Sequence, residues 1–209
     1  MKQRMMVLCL FCSVLCLFNP AAQAIDMGKS SYSSKEVDLK TTTRRLFTDY
    51  LIWHRIFIVE TLGAAQDVSK AQARFQKSQD DIVGMFASYY GDSTGTQLTN
   101  LFNQYSGLIS DYAYASKIHA DKTDAVNKIH SKIDEIAGAL SMANMNWVAA
   151  DLSTMIKKYS DSLLSEIDLQ TTMLGSIDAK IMDSTLDLSM QMADTFSSGI
   201  AQQYPGKFW

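Results

Sequence analysis

Apolar residues recur along most of the chain at intervals of three and four, which is the spacing of one face of an α-helix. The clearest stripe is formed by Val126, Ile129, Ile133, Ile136 and Leu140, and it is typical of a helix that packs nearly antiparallel to a neighbour. No run alternates strictly between apolar and polar residues, so no β-strand is predicted. Five or six helices are predicted, with apolar stripes in residues 46–62, 68–86, 98–112, 126–140, 152–167 and 177–200.

Helix-breaking residues are rare and lie between these stripes. Only two prolines, Pro20 and Pro205, occur in the 209 residues, so the long stretch between them lacks the commonest helix breaker. Gly63 is placed to end the first helix, and residues 91–95 supply a turn. The pattern predicts an all-α protein, an up-and-down helical bundle with a four-helix core and one or two shorter helices.

The first 24 residues have the organisation of a cleavable secretory signal. Lys2 and Arg4 precede an apolar run over residues 5–18, and Ala22-Gln23-Ala24 closes the segment. The apolar run is shorter than the ~20 residues that a membrane-spanning helix needs, and no transmembrane segment is predicted after signal cleavage. We predict a signal peptide at residues 1–24, a flexible polar leader at 25–40 and a helical bundle domain at 41–209. The predicted location is periplasmic or secreted.

The three cysteines, Cys9, Cys12 and Cys16, all lie within the predicted signal. A mature chain without them has no disulfide, no thiol nucleophile and no cysteine ligand for a metal. An alternative interpretation takes Cys16 as the lipidated residue of a lipoprotein. It is disfavoured because Ser13-Val14-Leu15 places a leucine, and not the expected small residue, beside Cys16.

Signal cleavage also changes the charge of the chain. It lowers the number of basic side chains from 19 to 17, against 22 acidic ones. Such an acidic protein is not expected to bind nucleic acid, because neutralising phosphates requires a basic face.

Histidines are the main candidates for catalysis or metal binding in the mature chain. His119 and His130 are interpreted as surface or half-buried residues, and neither belongs to the Glu-x-x-His spacing of di-iron bundles. His54 lies in the most apolar stripe, where a hydrogen-bonded core imidazole explains it better than a ligand role. No phosphate-binding loop, nucleophile elbow or zinc-protease motif is present. We therefore predict no metal and no cofactor, and we favour a binding protein over an enzyme.

Four stretches of the sequence resemble a family of small bacterial all-helical proteins of unknown function, often labelled glycosyltransferase or acetylglutamate kinase without the motifs of either. The resemblance covers roughly residues 42–208. The order and spacing of the four stretches are more specific than any one of them alone. The stretches are Trp53-His54-Arg55 to Thr61, Asp81-Ile82 to Tyr89-Tyr90-Gly91, Asp134-Glu135-Ile136 to Ala143-Asn144-Met145-Asn146-Trp147, and Met192-Ala193-Asp194 to Gly199-Ile200 with Gln203-Tyr204-Pro205-Gly206-Lys207-Phe208.

The resemblance implies a site inside the bundle, because members of the family carry inward-facing histidines on separate helices. This chain has Tyr50, Tyr105, Tyr159 and Leu186 at four such positions. Three phenols and an alkyl group would weaken or abolish any metal chemistry of those histidines. The alternative is a pocket adapted to an apolar or aromatic ligand, with the phenol hydroxyls as hydrogen-bond partners. Together with His54, these four residues form the predicted ligand-binding site.

The leading hypothesis for function is an exported, non-enzymatic protein that binds a small ligand or a protein partner through this interior site. One alternative is an enzyme that uses His54 with Asp or Tyr partners as acid and base. Another is a secreted effector or envelope protein that binds a partner through an exposed apolar patch. Trp147, Phe208 and Trp209 are the residues expected to mark such a patch.

Overall fold

The computed structural model describes residues 33–63, 67–172 and 179–208. The predicted signal peptide, residues 25–32 of the predicted leader and Trp209 lie outside them. The described residues form six helices of 21 to 30 residues and one of four residues, without a strand, which confirms the all-α fold class. The helices are α1 (Ser34–Gly63), α2 (Val68–Tyr90), α3 (Asp92–Lys117), α4 (Thr123–Ala143), α5 (Ala149–Thr172), α6 (Ala179–Gln203) and α7 (Pro205–Phe208).

The first helix begins earlier than its apolar stripe predicts. A flexible leader is predicted up to residue 40, whereas residues 34–40 are helical. The physical reason is a reciprocal capping box: Glu36 N–H donates to Ser33 Oγ at 3.2 Å, and Ser33 N–H donates to Glu36 Oε2 at 2.9 Å. Leu39 is buried and anchors this first part of α1 against the bundle. The predicted leader is therefore wrong for residues 34–40.

Short connections fold the long helices back on one another. Gly91 alone separates α2 from α3, and its φ of 85° is in the left-handed region that glycine adopts at little cost. Residues 118–122 join α3 to α4, and residues 144–148 join α4 to α5. Pro205 ends α6 as predicted, and it also begins the single turn of α7, because proline is favoured at the first position of a helix.

The helices are arranged as an up-and-down bundle with six long helices, rather than four, around its interior. Each long helix packs against the preceding and the following one, and α6 packs against α1. The odd-numbered helices α1, α3 and α5 also contact one another across the bundle. Because successive helices of an up-and-down bundle alternate in direction, these three helices run in the same direction. They meet near the middle of the bundle. Within the described part of the chain, no helix is both long and apolar enough to cross a membrane.

The predicted apolar stripes form the core. In α4, for example, Ile129, Ile133, Ile136 and Leu140 are all at most 1% exposed. At one end of the bundle, Trp147 from the α4–α5 connection packs edge-on against Phe86 and Phe196, and its indole N–H donates to the Thr195 carbonyl at 3.3 Å. This tryptophan fixes the end of α6 against the start of α5.

The close approach of Trp147 to α6 requires a glycine. A Cβ built on Gly199 would lie 1.9 Å from Trp147 Nε1, whereas a Cβ on Gly138 of α4 would meet nothing within 4 Å. We expect Gly199→Ala to lower the free energy of unfolding by about 1–3 kcal/mol through overpacking. The matched control Gly138→Ala should raise it by ~0.5–1 kcal/mol through helix propensity. Urea unfolding of both variants measures the difference, and equal effects would contradict the packing described here.

Candidate ligand-binding site

Three buried tyrosines lie near the middle of the bundle, one on each of the helices α1, α3 and α5. Tyr50 of α1, Tyr105 of α3 and Tyr159 of α5 are between 2% and 7% exposed. They are close enough for each phenol to influence the ionisation of another, and all three line the same cavity. We call these three residues the tyrosine cluster. The contact of α1, α3 and α5 across the bundle is what brings them together.

The cavity beside the tyrosine cluster has a volume of about 40 Å³. A water molecule needs only ~10–15 Å³ on this scale, whereas a cavity of ~150 Å³ accepts benzene. All six long helices contribute to its wall, so the cavity belongs to the bundle as a whole. Besides the tyrosine cluster, the wall consists of Gln79 and nine apolar side chains: Phe47, Ile82, Phe86, Phe102, Ile136, Leu140, Ile156, Met192 and Phe196.

The hydroxyls of the tyrosine cluster differ in their hydrogen bonding. Tyr105 Oη donates to Ser160 Oγ of α5 at 3.1 Å, which ties α3 to α5. The Tyr159 hydroxyl is buried and has no hydrogen-bond partner among the described residues. Leaving a buried hydroxyl unpaired costs about 1–3 kcal/mol. The Tyr159 hydroxyl is therefore an unused donor and acceptor, and it belongs to a side chain that lines the cavity.

Gln79 of α2 is the one amide in the cavity wall, and it is held by neighbours on α3. Its Oε1 accepts a hydrogen bond from Ser106 Oγ at 2.8 Å, and its Nε2 donates to Asn103 Oδ1 at 2.7 Å. Sequence analysis does not select Gln79. A signal was present, because Gln79 follows Phe75 by four residues and precedes Ile82 by three, which puts it on the apolar stripe of α2.

The site favours neutral groups. Burial is the main reason that the pKa values of Tyr50 and Tyr159 lie well above that of a free phenol, and neighbouring phenols raise both further. Burial also raises the pKa of Tyr105 to about 12, although its hydrogen bond to Ser160 acts in the opposite direction. All three phenols are protonated at neutral pH. The Tyr159 hydroxyl, which has no partner among the described residues, can donate a hydrogen bond to a neutral acceptor.

His54 lies next to the tyrosine cluster but does not line the cavity. Its ring stacks on Phe75 with centroids 4.4 Å apart, and it contacts the Tyr50 ring at 5.5 Å. The side chain is 1% exposed, and Nδ1 has no hydrogen-bond partner in the described part of the chain. The expectation of a hydrogen-bonded core imidazole is therefore correct as to burial and wrong as to the hydrogen bond of Nδ1.

Leu186 of α6 is the predicted site residue that the structure places elsewhere. It is half-buried and packs against the core without reaching the cavity. The adjacent Thr185 is fully buried instead and shares a hydrogen bond of 2.6 Å with Ser162 of α5. Met192 and Phe196, farther along α6, contact the cavity. The register inferred from the family resemblance therefore puts the wrong residue of α6 at the site.

The aromatic residues expected to mark a partner-binding patch belong largely to the core. Trp147 and Phe208 are 3% and 5% exposed, and Trp209 lies outside the described residues. Exposed apolar side chains instead flank the α4–α5 connection at Met142, Met145 and Val148. Within the described ranges, no group of three or more histidine, cysteine, aspartate or glutamate side chains could hold a metal ion.

The fold and this interior define the class of protein as an all-α up-and-down bundle with a tyrosine-lined central cavity. Comparison with protein-family models, curated proteins and solved structures finds no match for the chain. The resemblance to the bacterial helical family therefore stays a prediction. Function is therefore inferred from the geometry of the site.

The unpaired hydroxyl of Tyr159 gives a prediction about stability. We expect Tyr159→Phe to raise the free energy of unfolding by about 1 kcal/mol, because it removes a desolvated polar group and keeps the ring. The matched variant Tyr105→Phe should lower it by about 1 kcal/mol, because it removes a bonded hydroxyl and leaves Ser160 Oγ without its donor. Chemical denaturation measures the unfolding free energy of both variants. A loss of stability in Tyr159→Phe would contradict the conclusion that the Tyr159 hydroxyl has no partner.

The buried imidazole of His54 gives a prediction about pH. Burial lowers its pKa to about 3, whereas the unfolded residue titrates near ~6.5. Between these values the unfolded state binds more protons, so stability falls as the pH decreases, by at most ~1.4 kcal/mol per pH unit. From about pH 7 to about pH 5.5 the protein should lose ~1 kcal/mol more unfolding free energy than His54→Phe. The unfolding free energy of both proteins is measured by urea unfolding across this pH range. If the wild-type protein and His54→Phe lose the same free energy, this role of His54 is ruled out.

Proposed function

We propose that this protein is an exported binding protein that holds a small neutral molecule in its central cavity without catalysing a reaction on it. The proposal rests on the Tyr159 hydroxyl. This group is buried, it has no hydrogen-bond partner among the described residues, and it belongs to a side chain that lines the cavity. A ligand group that pairs with this hydroxyl removes the cost of leaving it unsatisfied. The folded protein is therefore more stable when the cavity is occupied.

The chemistry of the wall supports a ligand with an apolar body and one hydrogen-bonding group. Nine apolar side chains surround the body, and the phenol of Tyr159 meets the polar group. A charged ligand is disfavoured because the wall offers no opposite charge to offset its desolvation. Since the cavity is small, a ring-sized ligand requires side chains to move, and Met192 in the wall is of the type that adapts most readily.

The surroundings of His54 support binding over acid–base catalysis. The imidazole stacks on Phe75, outside the cavity wall, and no carboxylate among the described residues is hydrogen-bonded to it. Its pKa of about 3 keeps it unprotonated at neutral pH. A general base needs a pKa near the working pH and contact with the reacting group.

Export is supported by the sequence of residues 1–24, with its basic start, apolar run and Ala22-Gln23-Ala24. A mature bundle without cysteines has no disulfide to stabilise it outside the cytoplasm. The proposed start of the mature chain is Ile25. The mass of the protein recovered from the periplasm or the medium tests this start directly.

The ligand proposal is tested by NMR titration of the exported protein with three probes of similar shape: phenol, toluene and benzoate. We expect phenol to bind about fivefold more tightly than toluene, because one buried hydrogen bond contributes ~1 kcal/mol. Benzoate should not bind, because its carboxylate would be buried without a counter-charge. Shifts of the resonances of Tyr159 and Met192 report the place of binding.

Two variants decide whether the preference arises at Tyr159. In Tyr159→Phe, phenol and toluene should bind equally well, because the hydroxyl that distinguishes them is gone. Tyr90→Phe is the control, since Tyr90 Oη is paired with Asn144 Nδ2 at 2.8 Å and lies outside the cavity wall. Failure of all three probes to bind, or a phenol preference that survives Tyr159→Phe, would overturn the proposed function.

A further inference from the structure

A surface groove lies apart from the tyrosine cluster. It is bounded by residues 35–46 of α1, residues 77–89 of α2, and α7, and its volume is about 810 Å³. The groove is open to solvent rather than enclosed, so a ligand lying in it would keep one side exposed to water. Leu39, Leu46 and Phe208 are the buried apolar residues that line it, and Met85 is half-buried beside them. We call it the basic groove, for the charges described next.

Positive charge is in excess along the groove, although the chain as a whole has a net charge of −3. Four cationic side chains line it, against the two carboxylates Asp38 and Asp81. Asp81 is already paired with Lys77 at 2.8 Å, and Arg45 is paired with Asp49 at 3.4 Å, so neither Lys77 nor Arg45 is free to bind an anion. In the part of the chain that the structure describes, Lys35 and Lys207 form no ion pair. These two lysines are therefore available to an anion.

Lys207 is held in place by aromatic rings. Its ammonium group lies 5.0 Å from the centre of the Tyr89 ring and 4.8 Å from that of Tyr204. Tyr204 is itself fixed, because its hydroxyl donates to the Tyr89 carbonyl at 2.9 Å, and the α7 turn buries Phe208 beside them. A cation positioned in advance loses less conformational entropy when it binds an anion.

We propose that the basic groove binds a single-chain amphipathic anion, with its hydrocarbon chain along Leu39, Leu46 and Met85 and its carboxylate at Lys207 and Lys35. The apolar residues favour a ligand with a hydrocarbon chain over a phosphate-rich polymer. The excess of cations favours a carboxylate over a neutral or cationic head group. This site is separate from the central cavity, and the proposal does not depend on the one made for it.

The experiment is calorimetric titration of the exported protein with decanoate, decyltrimethylammonium and decanol, each below its micelle concentration. Decanoate should bind, and its affinity should fall as salt is added. Decanol should bind more weakly, and decyltrimethylammonium should not bind. Lys207→Gln should weaken decanoate binding about fivefold or more, the equivalent of one charge-assisted contact.

Two further variants separate a loss of charge from a disturbance of the aromatic contacts of Lys207. Lys35→Gln changes an exposed residue outside these contacts and should also weaken decanoate binding. Lys158→Gln, on the exposed surface of α5 and outside the groove, is the matched control and should leave the affinity unchanged.

Several results would overturn the proposal. These are equal affinity for decanoate and decyltrimethylammonium, no loss of affinity in either groove variant, or binding to vesicles of anionic lipid without binding of free decanoate. Loss of decanoate binding in Tyr159→Phe would place the ligand in the central cavity instead. Because decanoate and phenol are measured separately, failure at one site is distinguishable from failure at the other.

Discussion

The burial of six apolar stripes against one shared interior is the constraint on which the rest of this structure depends. Isolated helices gain most of their stability from packing rather than from propensity, and the described residues contain no disulfide that could replace it. Because α1, α3 and α5 also touch across the bundle, the interior has a middle to which all six long helices contribute. A polar group placed there is shielded from water from every side. Each polar group in the middle must therefore find a partner in the protein, in a ligand or in a buried water molecule.

The tyrosine cluster shows how this constraint generates a candidate site. Tyr105 satisfies its hydroxyl with Ser160, whereas Tyr159 does not satisfy its own. The same burial holds the phenols and the His54 imidazole in their neutral forms, by raising the pKa of the former and lowering that of the latter. The middle of the bundle is suited to neutral ligands for that reason. Lys207, by contrast, is exposed at the edge of the basic groove.

The end of the bundle that carries α7 has a different organisation. Trp147 packs against α6 where Gly199 leaves space, and α7 turns back to place Phe208 and Lys207 beside Tyr89. These contacts join segments that are far apart in the chain. They close the apolar core and at the same time fix one wall of the basic groove. Packing and a candidate binding surface therefore share the same residues at this end.

The sequence by itself determined the all-α class, the approximate limits of the helices and the buried face of each helix, because these depend on periodicity and on local breakers such as Gly63 and Pro205. The start of α1 is also determined locally, by the Ser33–Glu36 capping box. It was not predicted because the first turns of α1 have only a weak apolar pattern. Only the tertiary structure decided that Met192 rather than Leu186 reaches the cavity, that Gln79 belongs to the wall, and that Trp147 is core. The physical reason is that a stripe identifies the buried face of a helix, whereas the rotation and offset of six helices relative to one another decide which buried residues meet.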